Sequence, residues 1–232
     1  MLRELVAGVI DGVRGAAYLA GLPRLWKLVL APAIVVALIG LLTLGWLVAI
    51  LGTIGLVGWS TLTIASATVI VTFASLVSGP FNEMLSEAIE EHETGVQPPA
   101  FSAGRFVYEV AIGIVHAARR GAAYIIVIVG LLAIARFVPV AGATLAAIGS
   151  AWVTARYASY GAYDAILARR HWRYRDKRAY LRDRRWRTIG LGGLVALMLL
   201  VPGVNIIGLA IGASAATLRV VADERTQGAR VA

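Results

Sequence analysis

The residues best placed to do chemistry are cations beside helix-start signals. In Gly21-Leu-Pro-Arg-Leu-Trp-Lys27, Pro23 stands where a helix can begin, and Arg24 and Lys27 fall three apart on one face. A helix N-terminus offers free amides and a positive dipole end, so with two cations it could hold an oxyanion. The same pair also suits a plainer role, anchoring an apolar span by snorkelling and keeping its end cytoplasmic. The residues alone leave both roles open. Arg136 is an isolated cation between apolar runs, three residues before Pro139. At depth in a membrane it would cost at least ~2.5 kcal/mol and must face water, a partner or a permeant ion; in a full span it reaches the far interface. Asn205, at the break Val201-Pro-Gly-Val-Asn205, is with Arg136 a candidate pore residue.

Other chemistries lack their residues. There is no glycine-rich phosphate loop, no Gly-x-Ser-x-Gly elbow and no His-Glu-x-x-His pair. His92, His116 and His171 are scattered on polar stretches and read as surface histidines. The acidic run Glu83–Glu93 has the spacing of a solvated helix face rather than a cation site. Without cysteine there are no disulfides, thiolate metal sites or cysteine nucleophiles. The expectation is a non-enzyme with no cofactor and no metal site.

The elements that must position these cations follow from composition. Of 232 residues, 59% are hydrophobic and only 15% charged, where an average soluble domain carries about a quarter charged. So little charge cannot cover a water-soluble core, and most of the chain is expected to meet lipid. The net charge is +9, and from Arg169 to Arg187 ten Lys or Arg oppose Asp176 and Asp183, which gives 10 − 2 = +8 in one connector. Trp172, Tyr174, Tyr180 and Trp186 are interleaved there, a mixture that suits nucleic acid or a headgroup layer. Tethering between apolar segments favours the membrane surface, with no nucleic-acid partner. The N-terminus does not read as a signal peptide, because Glu4 and Asp11 interrupt it and the first apolar run far exceeds an h-region.

Along the chain, residues 1–27 read as an amphipathic surface helix. Leu28 to Asn82 holds 55 residues without a charge, enough for two spanning helices near 28–51 and 57–79 within the segment 28–80. Segment 81–120 holds amphipathic helices at the cytoplasmic surface, the first stopped by Thr94-Gly-Val-Gln-Pro-Pro99. Segments 121–158 and 189–220 each contain apolar runs broken by Pro and Gly, and read as partly inserted helical hairpins. Between them lies the basic connector 159–188, and 221–232 is a cytoplasmic tail. This order keeps every basic segment and both termini cytoplasmic.

The hairpins resemble each other. Setting Val138 on Val201, over twenty positions, also pairs Pro139/Pro202, Ala147/Ala210, Ile148/Ile211, Gly149/Gly212, Thr154/Thr217 and Arg156/Arg219. Duplicated units with Pro/Gly breaks recur in transporters, although any two hairpins need such a turn. Small residues four apart, at Ala143, Ala147, Ala151 and Ala155 and at Gly208, Gly212 and Ala216, permit close helix approach within or between protomers.

Several segments resemble the CysZ sulfate-permease family, grouped with the etoposide-induced-protein-like membrane domain. They are Gly21-Leu-Pro-Arg-Leu-Trp-Lys-Leu-Val-Leu-Ala-Pro32, Gly79-Pro-Phe-Asn-Glu-Met-Leu-Ser-Glu87, Val138-Pro-Val-Ala-Gly142, Tyr157-Ala-Ser-Tyr-Gly-Ala-Tyr-Asp164 and Val201-Pro-Gly-Val-Asn-Ile206, in that order. The resemblance implies an all-α integral membrane protein with two long transmembrane helices and two partly inserted hairpins. It also implies a homo-oligomer in the bacterial cytoplasmic (inner) membrane that admits sulfate for cysteine synthesis. Sulfate binding carries over to Gly21, Leu22, Arg24 and Lys27. The expected function is therefore a sulfate channel or permease. The alternatives are a non-conducting membrane scaffold and a conduit for another anion.

Overall fold

A stripe of small residues on the first helix decides how the bundle closes. The computed structural model describes residues 1–32, 34, 38, 78–96, 104, 115, most of 122–133, 141–170, 172–199 and 204–231. Arg136, nearly all of the predicted spans 28–51 and 57–79, and nearly all of the stretch 101–120 lie outside the described residues. Among those described, the regular structure is helical, with no strand: α1 (Leu2–Gly21), a 3-10 turn (Pro23–Leu25) leading into α2 (26–32), α3 (78–94), α4 (Ala141–Arg169), α5 (Tyr174–Asp183), α6 (Arg185–Leu199) and α7 (Val204–Val231).

Helices α1, α4, α6 and α7 pack into one bundle: α6 and α7 touch each other, and both touch α1 and α4. The buried positions of α1 are Gly8, Asp11, Gly12, Gly15 and Leu19, one helical stripe. A Cβ on Gly8 would run into the Arg187 carbonyl oxygen, and one on Gly190 into that of Leu5, so α1 and α6 cross backbone to backbone. Gly192 is likewise pressed on the Ala155 carbonyl oxygen and on Ser159, joining α6 to α4. The larger core lies between α4, α6 and α7 around Tyr163, Ile166, Leu167, Leu191 and Val195. A second core joins the α1 corner to α3 and α7 through Leu19, Leu25, Val29, Leu85, Ile89 and Ile211.

Helix α1 therefore differs from the surface helix expected over 1–27. Gly8, Asp11, Gly12 and Gly15 face inward, while Leu2 (72% exposed), Val6, Val9, Ile10 and Val13 (58%) face outward. Helix α4 repeats the pattern with Leu145, Ile148 and Trp152 exposed. The reason is that small residues allow close approach of backbones, as at membrane helix interfaces, and leave bulky apolar groups outside.

Both hairpins are legible in their contacts. Tyr124 OH lies 3.0 Å from Thr154 Oγ1, its ring is 4.8 Å from that of Tyr157, and Leu131 packs on the Gly149 position. Both contacts pair residues about the same midpoint of the chain, so these arms run antiparallel. In the second hairpin Gly208 meets Met198 and Gly212 meets Val195, so these arms run antiparallel as well. Gly149 and Gly212, paired in the sequence alignment at an offset of 63, each receive an aliphatic side chain from the opposite arm.

Two segment boundaries move. Helix α4 continues to Arg169 and α6 starts at Arg185, so the connector expected over 159–188 shrinks to the stretch around α5. Residues 221–231, expected as a tail, continue α7. In both places ion pairs to neighbouring helices hold part of the charge against the bundle, Arg169, Arg170 and Arg187 among them. Among the described residues no single helix is long and apolar enough to cross a membrane. The pair Leu2–Gly21 and Pro23–Pro32 passes that test only together, across a 95° bend.

Candidate anion site and the ion-pair layer

The sharp bend between α1 and α2 is what puts the predicted cations to use. Gly21 ends α1 with open space around it, Leu22 caps it, and Trp26 Nε1 donates to the Leu19 carbonyl at 3.1 Å, tying the new helix back to the old. Arg24 and Lys27 then line one cleft of about 360 Å³ with Leu25 and Leu28, facing Ala88, Glu91 and His92 of α3. The structure thus brings Arg24 and Lys27 together, whereas Gly21 and Leu22 form the corner behind them. Among the described residues neither cation has an ion-pair partner.

The helix start offers less than the sequence suggested. The Leu22, Leu25 and Trp26 amides already donate to Leu19, Leu22 and Pro23 carbonyls, and proline has no N–H. At most the Arg24 amide is left for an anion, so the two side chains must supply the attraction. Tyr18 closes the other flank of His92, with its hydroxyl 2.8 Å from Nδ1 and the rings edge to face. Burial, and after it the Glu93 carboxylate, push the Tyr18 phenol up to about 12. The phenol therefore keeps its proton, and the imidazole tautomer sets which of the two atoms donates in the Tyr18–His92 contact.

Asn205 occupies the first turn of α7, next to the hairpin apex, with its side chain outside the described positions.

Sequence reasoning missed the layer of ion pairs that binds the helices. Arg187 grips Asp11 with Nε to Oδ2 at 2.5 Å and Nη2 to Oδ1 at 2.8 Å, joining α6 to α1. This bond lifts the Arg187 guanidinium above its ordinary range although burial pulls the other way. Glu90 of α3 accepts from both Arg169 and Arg170, and Arg170 also reaches Glu224 of α7 at 2.7 Å. Lys177 meets Asp164 at 2.8 Å, Arg184 and Arg219 share Asp223, and Arg225 binds Glu93. Tyr180 donates to Asp223 Oδ2 at 3.0 Å, and burial pushes its phenol well above the ordinary range. The acidic run is thus only partly a solvated face: Glu91 is exposed, whereas Glu90 and Glu93 neutralise arginines. Of the ten connector cations, Arg169, Arg170, Lys177, Arg184 and Arg187 are paired. One signal was available, namely that Asp164 is the lone acid of α4 and Asp11 sits among the small residues of α1.

Fold and site together define a class: an α-helical protein of packed hairpins, held by ion pairs at one end and carrying a cationic cleft at a helix corner. Among the described residues no group of three His, Asp or Glu is placed to hold a metal. Residues 13–209 match the family described as Sulfate transporter CysZ/Etoposide-induced protein 2.4. The chain belongs to this family. It is similar to a sulfate transporter CysZ of Pseudomonas fluorescens, 32% identical over 150 residues that cover 62% of this chain and 56% of the relative. A sulfate transporter CysZ of Pseudomonas syringae pv. tomato is 31% identical over 62% of this chain and 57% of its own length. One from Pseudomonas aeruginosa is 30% identical over 65% and 61%. The chain thus spans less than two thirds of the length of these curated relatives.

Proposed function

We propose that this chain conducts sulfate into the bacterial cytoplasm as a homo-oligomer in the inner membrane, supplying cysteine synthesis. Three things support the reading: the family, whose relatives are named sulfate transporters; the outward apolar faces of α1 and α4, which suit lipid; and the cleft. The observation that carries it is the cleft, where Arg24 and Lys27 stand without an ion pair among the described residues while the arginines of the layer are neutralised. Two cations match the two charges of sulfate. Glu91 opposes them across the cleft and weakens capture, which conduction requires, since an ion held tightly does not leave.

The membrane potential opposes entry by ~2.3 kcal/mol per charge per 100 mV, hence about 4.6 kcal/mol for a dianion. Uptake then needs consumption inside or coupling to protons. Labelled-sulfate uptake into liposomes tests the mechanism: Arg24→Ala with Lys27→Ala is expected to slow flux at least tenfold. Flux equal to wild type would remove both residues from it. Glu91→Gln is expected to lower the half-saturating sulfate concentration several-fold, and an unchanged or higher value would refute the opposing role of Glu91. Competition by chloride, phosphate and thiosulfate separates sulfate from other anions.

A second reading is a non-conducting membrane scaffold, which the outward apolar faces of α1 and α4 suit equally. It predicts flux no greater than in empty liposomes and a stably co-purifying partner.

A further inference from the structure

A second cationic cavity, on the other side of the bundle, is lined by arginines that the ion-pair layer does not use. It encloses about 450 Å³ between the middle of α4, helix α5 and the start of α6. Arg156, Arg178, Arg182 and Arg185 line it, and no carboxylate does. Among the described residues none of these four has an ion-pair partner. Nearby acids are engaged elsewhere: Asp164 holds Lys177, and Asp223 holds Arg184, Arg219 and Tyr180. Asp176 and Asp183 lie on α5 but do not line the cavity.

The duplicated hairpins explain why one arginine is left over. Arg219 is neutralised one helical turn on by Asp223. At the matching positions of the first hairpin stand Arg156 and Tyr160, and a phenol cannot neutralise a guanidinium at neutral pH. Tyr160 and Tyr174 instead form an aromatic wall, their rings 6.1 Å apart, with Arg178 over the Tyr174 ring at 5.7 Å.

We propose that this cavity binds a phosphate-type tetrahedral oxyanion. Guanidinium groups converging from three elements match such a ligand, because each can donate two parallel N–H bonds to its oxygens. The setting suits the headgroup of an anionic phospholipid. One turn before Arg156, Trp152 packs edge-on against Trp186 at 5.5 Å, and the exposed Leu145 and Ile148 continue down the same helix. Tryptophan beside an apolar face with arginine beyond is the order of side chains found across a membrane interface. Free inorganic phosphate or sulfate shares the chemistry, and the test separates the sources.

The full chain in neutral detergent is titrated with phosphatidylglycerol, with phosphatidylcholine of the same chains, and separately with inorganic phosphate, using native mass spectrometry and calorimetry. Wild type is expected to prefer phosphatidylglycerol at least tenfold. Arg156→Gln with Arg182→Gln, or Arg178→Gln with Arg185→Gln, is expected to abolish that preference. Two double variants are made so that either one that keeps the wild-type unfolding temperature can be read. Arg173→Gln with Arg175→Gln removes the same charge outside the cavity and is expected to stay within twofold of wild type. Phosphate binding that is lost in the cavity variants, without any lipid preference, assigns the site to a free oxyanion. The proposal is overturned if neither ligand distinguishes wild type from the cavity variants, or if the control variant loses as much.

Discussion

Asp11→Ala is expected to cost about 3–5 kcal/mol of stability, because it leaves the half-buried Arg187 guanidinium without its two bonds. At ~2–4 °C per kcal/mol for a chain of this size, the unfolding temperature in detergent should fall by roughly 6–20 °C. The loss comes from the orphaned charge more than from the pair itself. Asp11→Leu combined with Arg187→Met should therefore recover most of it, since replacing both members of a buried pair with apolar groups is often neutral or stabilising. If the double variant is as unstable as Asp11→Ala, the pair contributes specific attraction beyond relief of a buried charge. If Asp11→Ala alone unfolds like wild type, α1 is not held to α6 through this bond.

The second large effect is steric. Gly190→Ala places a methyl on the Leu5 carbonyl oxygen and Gly192→Ala one on that of Ala155; in each case the obstacle is backbone and cannot rotate away. Helices must separate, undoing contacts along the crossing, and about 3 kcal/mol or more should be lost from each. Gly193→Ala is the matched control. Its new methyl would find only the Ala155 Cβ, at 4.0 Å, so the change should stabilise α6 by about 0.5–1 kcal/mol through backbone entropy. Thermal unfolding of the three variants decides it, and equal behaviour at positions 190, 192 and 193 would contradict the close crossing.

Local features were readable from sequence because they depend on neighbours along the chain. The stop of α3 at Thr94-Gly95 is one: Gly95 takes a φ of 71°, and its amide closes on the Glu91 carbonyl. The repeat offset of 63 between hairpins is another, since it reappears as the matching contacts at Gly149 and Gly212. The spacing of Arg24 and Lys27 on one face was also legible. What crosses the chain was not. Asp11 and Arg187 are 176 residues apart, and nothing local marks them as partners. Glu91 and His92 are exposed, as their spacing implied, but helical spacing could not say that their face meets the α2 corner. The inward stripe of α1 was misjudged for a related reason: apolar periodicity reveals that a helix has two faces, and the choice of which one turns inward depends on whether the surroundings are water or lipid.

The backbone crossing at Gly8 and Gly190 also has a timetable. Helix α1 leaves the ribosome before α6, the helix that fits its stripe, which follows some 180 residues later. At 5–20 residues per second, Asp11 spends roughly 9–35 s without Arg187 during synthesis. Helix α1 thus waits for α6, and their crossing closes only after the residues between them have been made.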